Sequence, residues 1–313
     1  MVHCDTEEPV WKRRRVPPLL GVGGPPDSDI DAADPPSDLD DDNISLPEFA
    51  RFLADEAKHG KHPNVTRRPR TLLAGSLVRA LPDRPTQIFG LVLCRYHNTK
   101  EAFESFQPCL VRFAENRCLD TLKQELEQLY ESLGRCFFFS GMGGRPKDAR
   151  RGKPSGPLSF HVLRSLPAWW SAAQRAAALL GDPLTTPSTW HQDFFKIFPQ
   201  LPLHGYGYWP KFCYGDIGMW VAPELDLLRH FTFTGIGPFK QLERWKYTIP
   251  PGGSHTREMT RQAVGLDAIR HIRYCINDFL AQGLYGLDRG NISPLTAYDI
   301  QVALCQYKKR RRA

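Results

Sequence analysis

Phe231-Thr-Phe-Thr-Gly-Ile-Gly-Pro-Phe-Lys240-Gln-Leu-Glu-Arg-Trp245 is the stretch on which the fold reading turns. An apolar run meets a Gly-x-Gly turn, and an amphipathic segment follows. In a helix–hairpin–helix the glycines let the backbone turn tightly. The amides that open the second helix then face a phosphate, aided by the helix dipole. The spacing predicts Gly235 and Gly237 in the turn, at least one of them with positive φ. Lys240 and Arg244 follow closely enough to pair with phosphate.

A second stretch has the same grammar: Leu203-His-Gly-Tyr-Gly-Tyr-Trp-Pro-Lys211-Phe-Cys-Tyr-Gly-Asp216. Gly205 and Gly207 would make the turn, with Lys211 the nearby cation. Tyr206, Tyr208 and Trp209 offer faces on which a base can stack. One Gly-x-Gly is an ordinary turn; two in a basic helical chain predict a helix–hairpin–helix body. The competing reading is that the glycines are plain turns and the aromatics plain core.

Working outward, the rest of the chain reads as mainly α. Ser45, Pro47 and Glu48 form a capping-box pattern that opens a helix to about Lys58, with Phe49, Phe52 and Leu53 on one face. Lys61–Arg70 reads as a basic loop. Leu119, Leu122, Leu126 and Leu129 predict a helix over 115–134, ended by Gly134. Residues 136–140 read as a short strand or a helix end. Residues 141–157 read as a basic, glycine-rich loop. Its spacing rules out a nucleotide-binding P-loop, because Pro154 stands where the magnesium-holding hydroxyl is needed. Further helices are predicted from about Pro167 to Leu180, stopped by Gly181, and over about 256–282, stopped by Gly283.

Charge is unevenly placed. Residues 1–60 carry 6 basic and 14 acidic side chains, a net of −8, so the remainder carries 35 basic and 20 acidic, a net of +15. That surplus fits a polyanionic partner, nucleic acid first. Residues 1–44, with three Pro-Pro pairs and eight Asp between Asp27 and Asp42, read as a disordered tail. The eight cysteines include no pair two residues apart, so zinc ribbons and thioredoxin-type pairs are not expected, and neither is any metal or cofactor. No apolar run spans a bilayer and no signal-peptide pattern opens the chain, which predicts a soluble intracellular protein with no membrane partner. Trp11-Lys-Arg-Arg-Arg15 and Lys308-Lys-Arg-Arg-Arg312 point to the nucleus.

With these residues in place the sequence resembles the α-glutamyl/putrescinyl-thymine pyrophosphorylases, a branch of the helix–hairpin–helix DNA glycosylase superfamily. The resemblance rests on Gly205–Asp216, on Gly235–Arg244, and above all on Asp299-Ile-Gln-Val-Ala-Leu-Cys305-Gln-Tyr307-Lys308. Gln306 departs from the pattern, which has an acid there. The resemblance covers roughly residues 70–312, with its motifs after 190. It implies a mainly α, helix–hairpin–helix DNA glycosylase-like domain over 45–312, with its core at about 190–305.

The resemblance also implies chemistry on a modified thymine in DNA. An amine or amino-acid co-substrate would displace pyrophosphate from the 5-methylene of a uracil. That reaction needs a flipped base, cations for the leaving group and a base for the amine. Asp216, His191 and Asp193 are the candidates to orient or deprotonate the amine. Lys211, Lys240 and Arg244 are the candidates for pyrophosphate or DNA phosphate. His191 and Asp193 also suit a helix cap, and Asp216 also suits support of the hairpin. Two other functions compete. A hydrolytic glycosylase would need an acid in 227–242, which holds neither Asp nor Glu. A non-catalytic nucleic-acid-binding protein of a mobile element or virus fits the basic body equally well.

Overall fold

A computed structural model describes residues 46–133, 158–197, 208–251 and 255–310. All belong to one compact unit, and among them there are helices and no strand. The predicted tail 1–44, the 136–140 segment, the 141–157 loop, Gly205, Tyr206, Gly207 and the basic cluster at 11–15 lie outside the described residues.

The chain order is α1 Leu46–Lys58, a 3₁₀ turn Val65–Arg67, α2 Pro69–Ala80, α3 Arg84–His97, α4 Lys100–Asn116 and α5 Leu119–Leu133. After residue 157 come α6 Leu158–Gly181, α7 Pro187–Ile197 and α8 Tyr208–Asp216, continued by a π-helical turn, Ile217–Val221. The short α9 Leu227–His230 and α10 Ile236–Arg244 precede the long α11 His255–Gln282 and α12 Ala297–Arg310.

Helix α3 is the axis of the first core. Asp83 caps it, its carboxylate accepting from the Thr86 amide at 3.0 Å. Every residue from Ile88 to His97 is buried, so the helix is surrounded on all sides. Helix α6 packs closest, through Trp169 on Tyr96 at 5.2 Å and Trp170 on Phe89 at 5.5 Å. Helices α2, α4 and α8 fill the rest of the circle. Gly75 of α2 is where Trp220 sits: a Cβ there would lie 2.9 Å from the indole.

A second core joins the two ends of the described chain. Phe49 and Phe52 of α1 pack on Tyr307 of α12 at 5.4 and 5.2 Å, with Trp245 at the edge of Phe49. Leu242, Ile269, Ile272, Ile276, Ile300 and Leu304 complete it. The face predicted for α1 is the one it buries.

Three expectations change. The helix over 115–134 is two helices: Asn116 ends α4, Arg117 turns left-handed at φ 56, and Leu119 opens α5. Pro167 does not open α6 but lies inside it, because Val162, Leu163 and Leu166 bury the preceding turns. The loss of one backbone hydrogen bond is outweighed by that apolar contact. Neither Gly235 nor Gly237 has positive φ, as the next section details. The expected stop at Gly283 holds, with φ 67.

Candidate nucleic-acid interface and buried polar layer

The stretch 227–244 forms a one-turn helix, an extended turn and a second helix. Gly235 is the N-cap of α10 at φ −89, ψ 171, and Gly237 lies in the first helical turn. Neither glycine is chosen for a left-handed backbone. Gly237 is small because α12 comes close: a Cβ would stand 2.9 Å from the Cys305 Sγ. The extended segment is fastened to α11 by Gln262. The Thr234 amide donates to the Gln262 Oε1 at 2.8 Å, and the Gln262 Nε2 donates to the Thr234 carbonyl at 2.9 Å. Gly265, one turn on, makes room for Phe239 and Thr234. The turn therefore enters α10 in one fixed direction, with the first-turn amides lacking intrahelical acceptors. Lys240 and Arg244 are both exposed on α10, four residues apart on one side.

Two of the stretches singled out in the sequence, 205–216 and 235–244, meet the third, 299–308, which lies on α12. Gly237 receives Cys305, and Gly215 receives Tyr298, whose hydroxyl would be 2.6 Å from a Cβ there. Around Tyr298 lies a set of charged side chains, Arg95, Asp216, Arg68 and Asp299. Arg95 Nε and Nη2 donate to Asp216 Oδ2 and Oδ1 at 2.5 and 2.8 Å, and Arg95 Nη1 donates to Asn98 Oδ1 at 3.2 Å. Phe103 and Phe212 lie under the guanidinium at 5.4 and 5.2 Å. Asp299 accepts from the Val65 amide at 2.6 Å and from the Thr296 amide and hydroxyl at 2.9 and 2.8 Å. Its own amide donates to the Thr296 hydroxyl at 3.1 Å, closing a capping box at the start of α12. Arg68 donates to Gln306 Oε1 at 3.2 Å.

Asp216 lies inside this set of charges. Its side chain is 0% exposed and both oxygens are held by Arg95. Burial pushes its carboxyl above the ordinary value and the guanidinium pulls it back. Burial alone would lower Arg95, but the Asp216 carboxylate more than reverses that. In this arrangement both oxygens are engaged by Arg95, and neither is open to an amine.

His191 and Asp193 do not join it. His191 stacks on Phe233 at 4.4 Å and meets the Tyr214 hydroxyl through Nδ1 at 3.2 Å, with Phe231 also against it. Burial, then nearby Arg270, lowers its imidazole to about 3, which leaves it neutral and a weak proton acceptor. Asp193 pairs with Lys196 at 2.5 Å on the outside of α7. None of the three is hydrogen-bonded to another. Lys211, Tyr208 and Trp209 belong to α8; only their backbone is described.

No protein-family model, curated protein or solved structure matches this chain.

Sequence reasoning missed Arg95, Asn98, Gln262 and Arg270. Arg95 sits in the apolar run Leu91-Val-Leu-Cys-Arg95-Tyr, and a charge in such a run was the available signal. Among the described residues no group of three His, Cys, Asp or Glu is gathered for a metal, and no helix is long and apolar enough to cross a membrane.

Proposed function

We propose that this chain binds DNA through the 227–244 element as a helix–hairpin–helix protein, and that it modifies a thymine-type base there. The observation that carries the reading is the convergence on α12. Segments 60 to 90 residues apart, noticed in the sequence for one resemblance, are in contact through Gly237–Cys305 and Gly215–Tyr298. The direction of α10 supports it too: uncapped amides at its start, with Lys240 and Arg244 along it, suit a phosphate. In the reaction the amine nitrogen attacks the 5-methylene carbon, the bond to the pyrophosphate oxygen breaks, and the amine proton passes to a base. Lys240 and Arg244 are the cations proposed to neutralise the departing pyrophosphate. Localisation in the nucleus belongs to the same proposal, on the terminal basic clusters.

One observation favours a second reading. Asp216 is locked by Arg95, and His191 is a weak base, so the deprotonation step has lost its leading candidates. A DNA-binding protein without catalysis needs neither.

The deciding experiment incubates the chain with duplex DNA carrying pyrophosphorylated 5-hydroxymethyluracil and a panel of amines, with mass spectrometry of the digested nucleosides. A mass gain matching an amine adduct, with release of pyrophosphate, is the expected result. Binding without any adduct leaves the second reading. Absence of DNA binding at low salt overturns both.

A further inference from the structure

The connection from α11 to α12 carries a hydroxyl that neither the hairpin nor the base chemistry uses. It includes the stretch Leu287-Asp-Arg-Gly-Asn-Ile-Ser293-Pro-Leu-Thr296. Leu287, Ile292 and Leu295 belong to the second core, and Ser293 and Pro294 are exposed between the last two. Two asparagines hold this stretch by its backbone. Asn277 of α11 accepts from the Leu295 amide at 2.7 Å and donates to the Leu295 carbonyl at 2.9 Å. Asn64, itself buried, accepts from the Ser293 amide at 3.2 Å and donates to the Ser293 carbonyl at 3.2 Å. The main chain on both sides of the Ser293 side chain is therefore fixed.

That side chain meets Arg67, which closes the 3₁₀ turn before α2. Arg67 Nη2 donates to the Ser293 hydroxyl at 3.4 Å, and Nη1 donates to the Asn291 carbonyl at 3.5 Å. Both bonds are long and both acceptors are neutral. Among the described residues Arg67 is exposed and has no carboxylate partner. The acids of the neighbourhood are engaged elsewhere. Asp288 accepts from the Gly290 amide at 2.9 Å and from the Asn291 side chain at 2.8 Å, and Asp299 is held by the Val65 amide and by Thr296. A guanidinium has five N–H donors, so Arg67 is a cation with capacity for an anion.

The next residue completes the pattern. A broad class of Ser/Thr protein kinases takes proline directly after the acceptor hydroxyl. The sequence has two such dipeptides, Thr186-Pro187 and Ser293-Pro294. Thr186 is used as a helix cap, its hydroxyl accepting from the Thr189 amide at 3.2 Å. Ser293 has an arginine waiting on it instead.

We propose that Ser293 is a phosphorylation site for a proline-directed protein kinase, and that Arg67 receives the phosphate. The Ser293 hydroxyl oxygen attacks the γ-phosphorus of ATP, the bond from that phosphorus to the bridging oxygen breaks, ADP leaves, and the hydroxyl proton passes to the kinase's base. To enter a kinase cleft Ser293 leaves the Asn64 clasp, and two neutral bonds at a surface loop are a small cost. The product adds about 1.5–2 negative charges and three acceptor oxygens, attached to an atom already against Arg67. A weak neutral contact becomes a charge-assisted one. Since Arg67 leads into α2 and Ser293 leads into α12, the modification staples together elements 226 residues apart. This role is independent of the DNA-binding reading.

The first arm of the test incubates the full chain with ATP and a panel of proline-directed kinases, followed by mass spectrometry of its peptides. Phosphate should appear on Ser293 and vanish from that peptide in Ser293→Ala. Phosphate on other residues alone, or on none, overturns the site. The second arm needs no kinase: phosphoserine is placed at 293 during synthesis with a suppressor tRNA, and urea denaturation is compared with the unmodified chain. The folded-to-unfolded ratio should rise about threefold to tenfold, and the gain should shrink in about 1 M potassium chloride. Arg67→Gln, at an exposed position, should fold and should abolish the gain. A ratio left unchanged or lowered by the phosphate, or raised equally in Arg67→Gln, overturns the staple.

Discussion

Arg95 and Asp216 form a two-point ion pair across 121 residues, buried between α3 and α8. Such a pair gains less from its own attraction than it loses when one member is removed, because the survivor is a bare charge in a dry interior. Asp216→Asn should therefore cost about 3–5 kcal/mol, measured by urea denaturation. Replacing both partners with apolar residues, Arg95→Met with Asp216→Leu, should recover most of that loss. A catalytic carboxylate would behave differently: Asp216→Asn would lower activity and leave the unfolding midpoint where it was.

The Gln262 clasp carries a second prediction. Gln262→Leu preserves volume and leaves the Thr234 amide and carbonyl buried without their partner, at a cost of about 2–4 kcal/mol. DNA affinity should fall along with stability, since the clasp aims α10. Stability lost with affinity unchanged would show that the α10 entrance does not touch DNA.

Close approach to α12 can be tested by adding one methyl group. Gly237→Ala places a Cβ against Cys305, and the expected penalty is about 1–3 kcal/mol. Cys305→Ala should relieve it, so the double variant should be more stable than the sum of the single effects. Gly215→Ala meets the ring of Tyr298 and should cost more, because a wedged aromatic has less room to yield than a thiol. Additive losses in the Gly237–Cys305 cycle would contradict the contact.

What the sequence made legible was local. The apolar periodicity of Phe49, Phe52 and Leu53 marked the buried face of α1, and Gly283 marked the end of α11, because each signal lies within one or two turns of what it controls. The break at Arg117 was hidden, since a left-handed arginine has no glycine to announce it. So was the early start of α6, where packing overrode a proline. The candidate site was legible as segments and not as chemistry. Gly215, Gly237 and Cys305 lay in the stretches singled out, but the reason for the glycines is contact with α12, which local spacing does not encode. Asp216 looked available because its partner, Arg95, is far away in sequence and sits inside an apolar run.

The last prediction concerns acid. His97 is buried between α3 and α5, with Nδ1 2.8 Å from the Leu93 carbonyl and Nε2 2.7 Å from the Tyr130 hydroxyl. A carbonyl can only accept, so Nδ1 carries the proton and Nε2 accepts from tyrosine. That arrangement requires the neutral ring. Burial lowers the imidazole from 6.5 to about 4, against a small opposing pull from the Leu93 hydrogen bond. The unfolded chain therefore binds a proton between pH 6.5 and 4 that the folded chain refuses. His97 leaves stability untouched above pH 6.5 and subtracts from it progressively as pH falls towards 4, by up to about 3 kcal/mol. His191 acts with the same sign, whereas Asp216 and Asp299, raised by burial, act against it near their own titration. Urea denaturation at pH 7.5 and pH 5 isolates His97 when the unaltered chain is compared with His97→Gln. The variant should be less stable at pH 7.5 but lose less on going to pH 5. Equal pH dependence in the two proteins would mean that His97 takes up its proton in the folded state as readily as in the unfolded one.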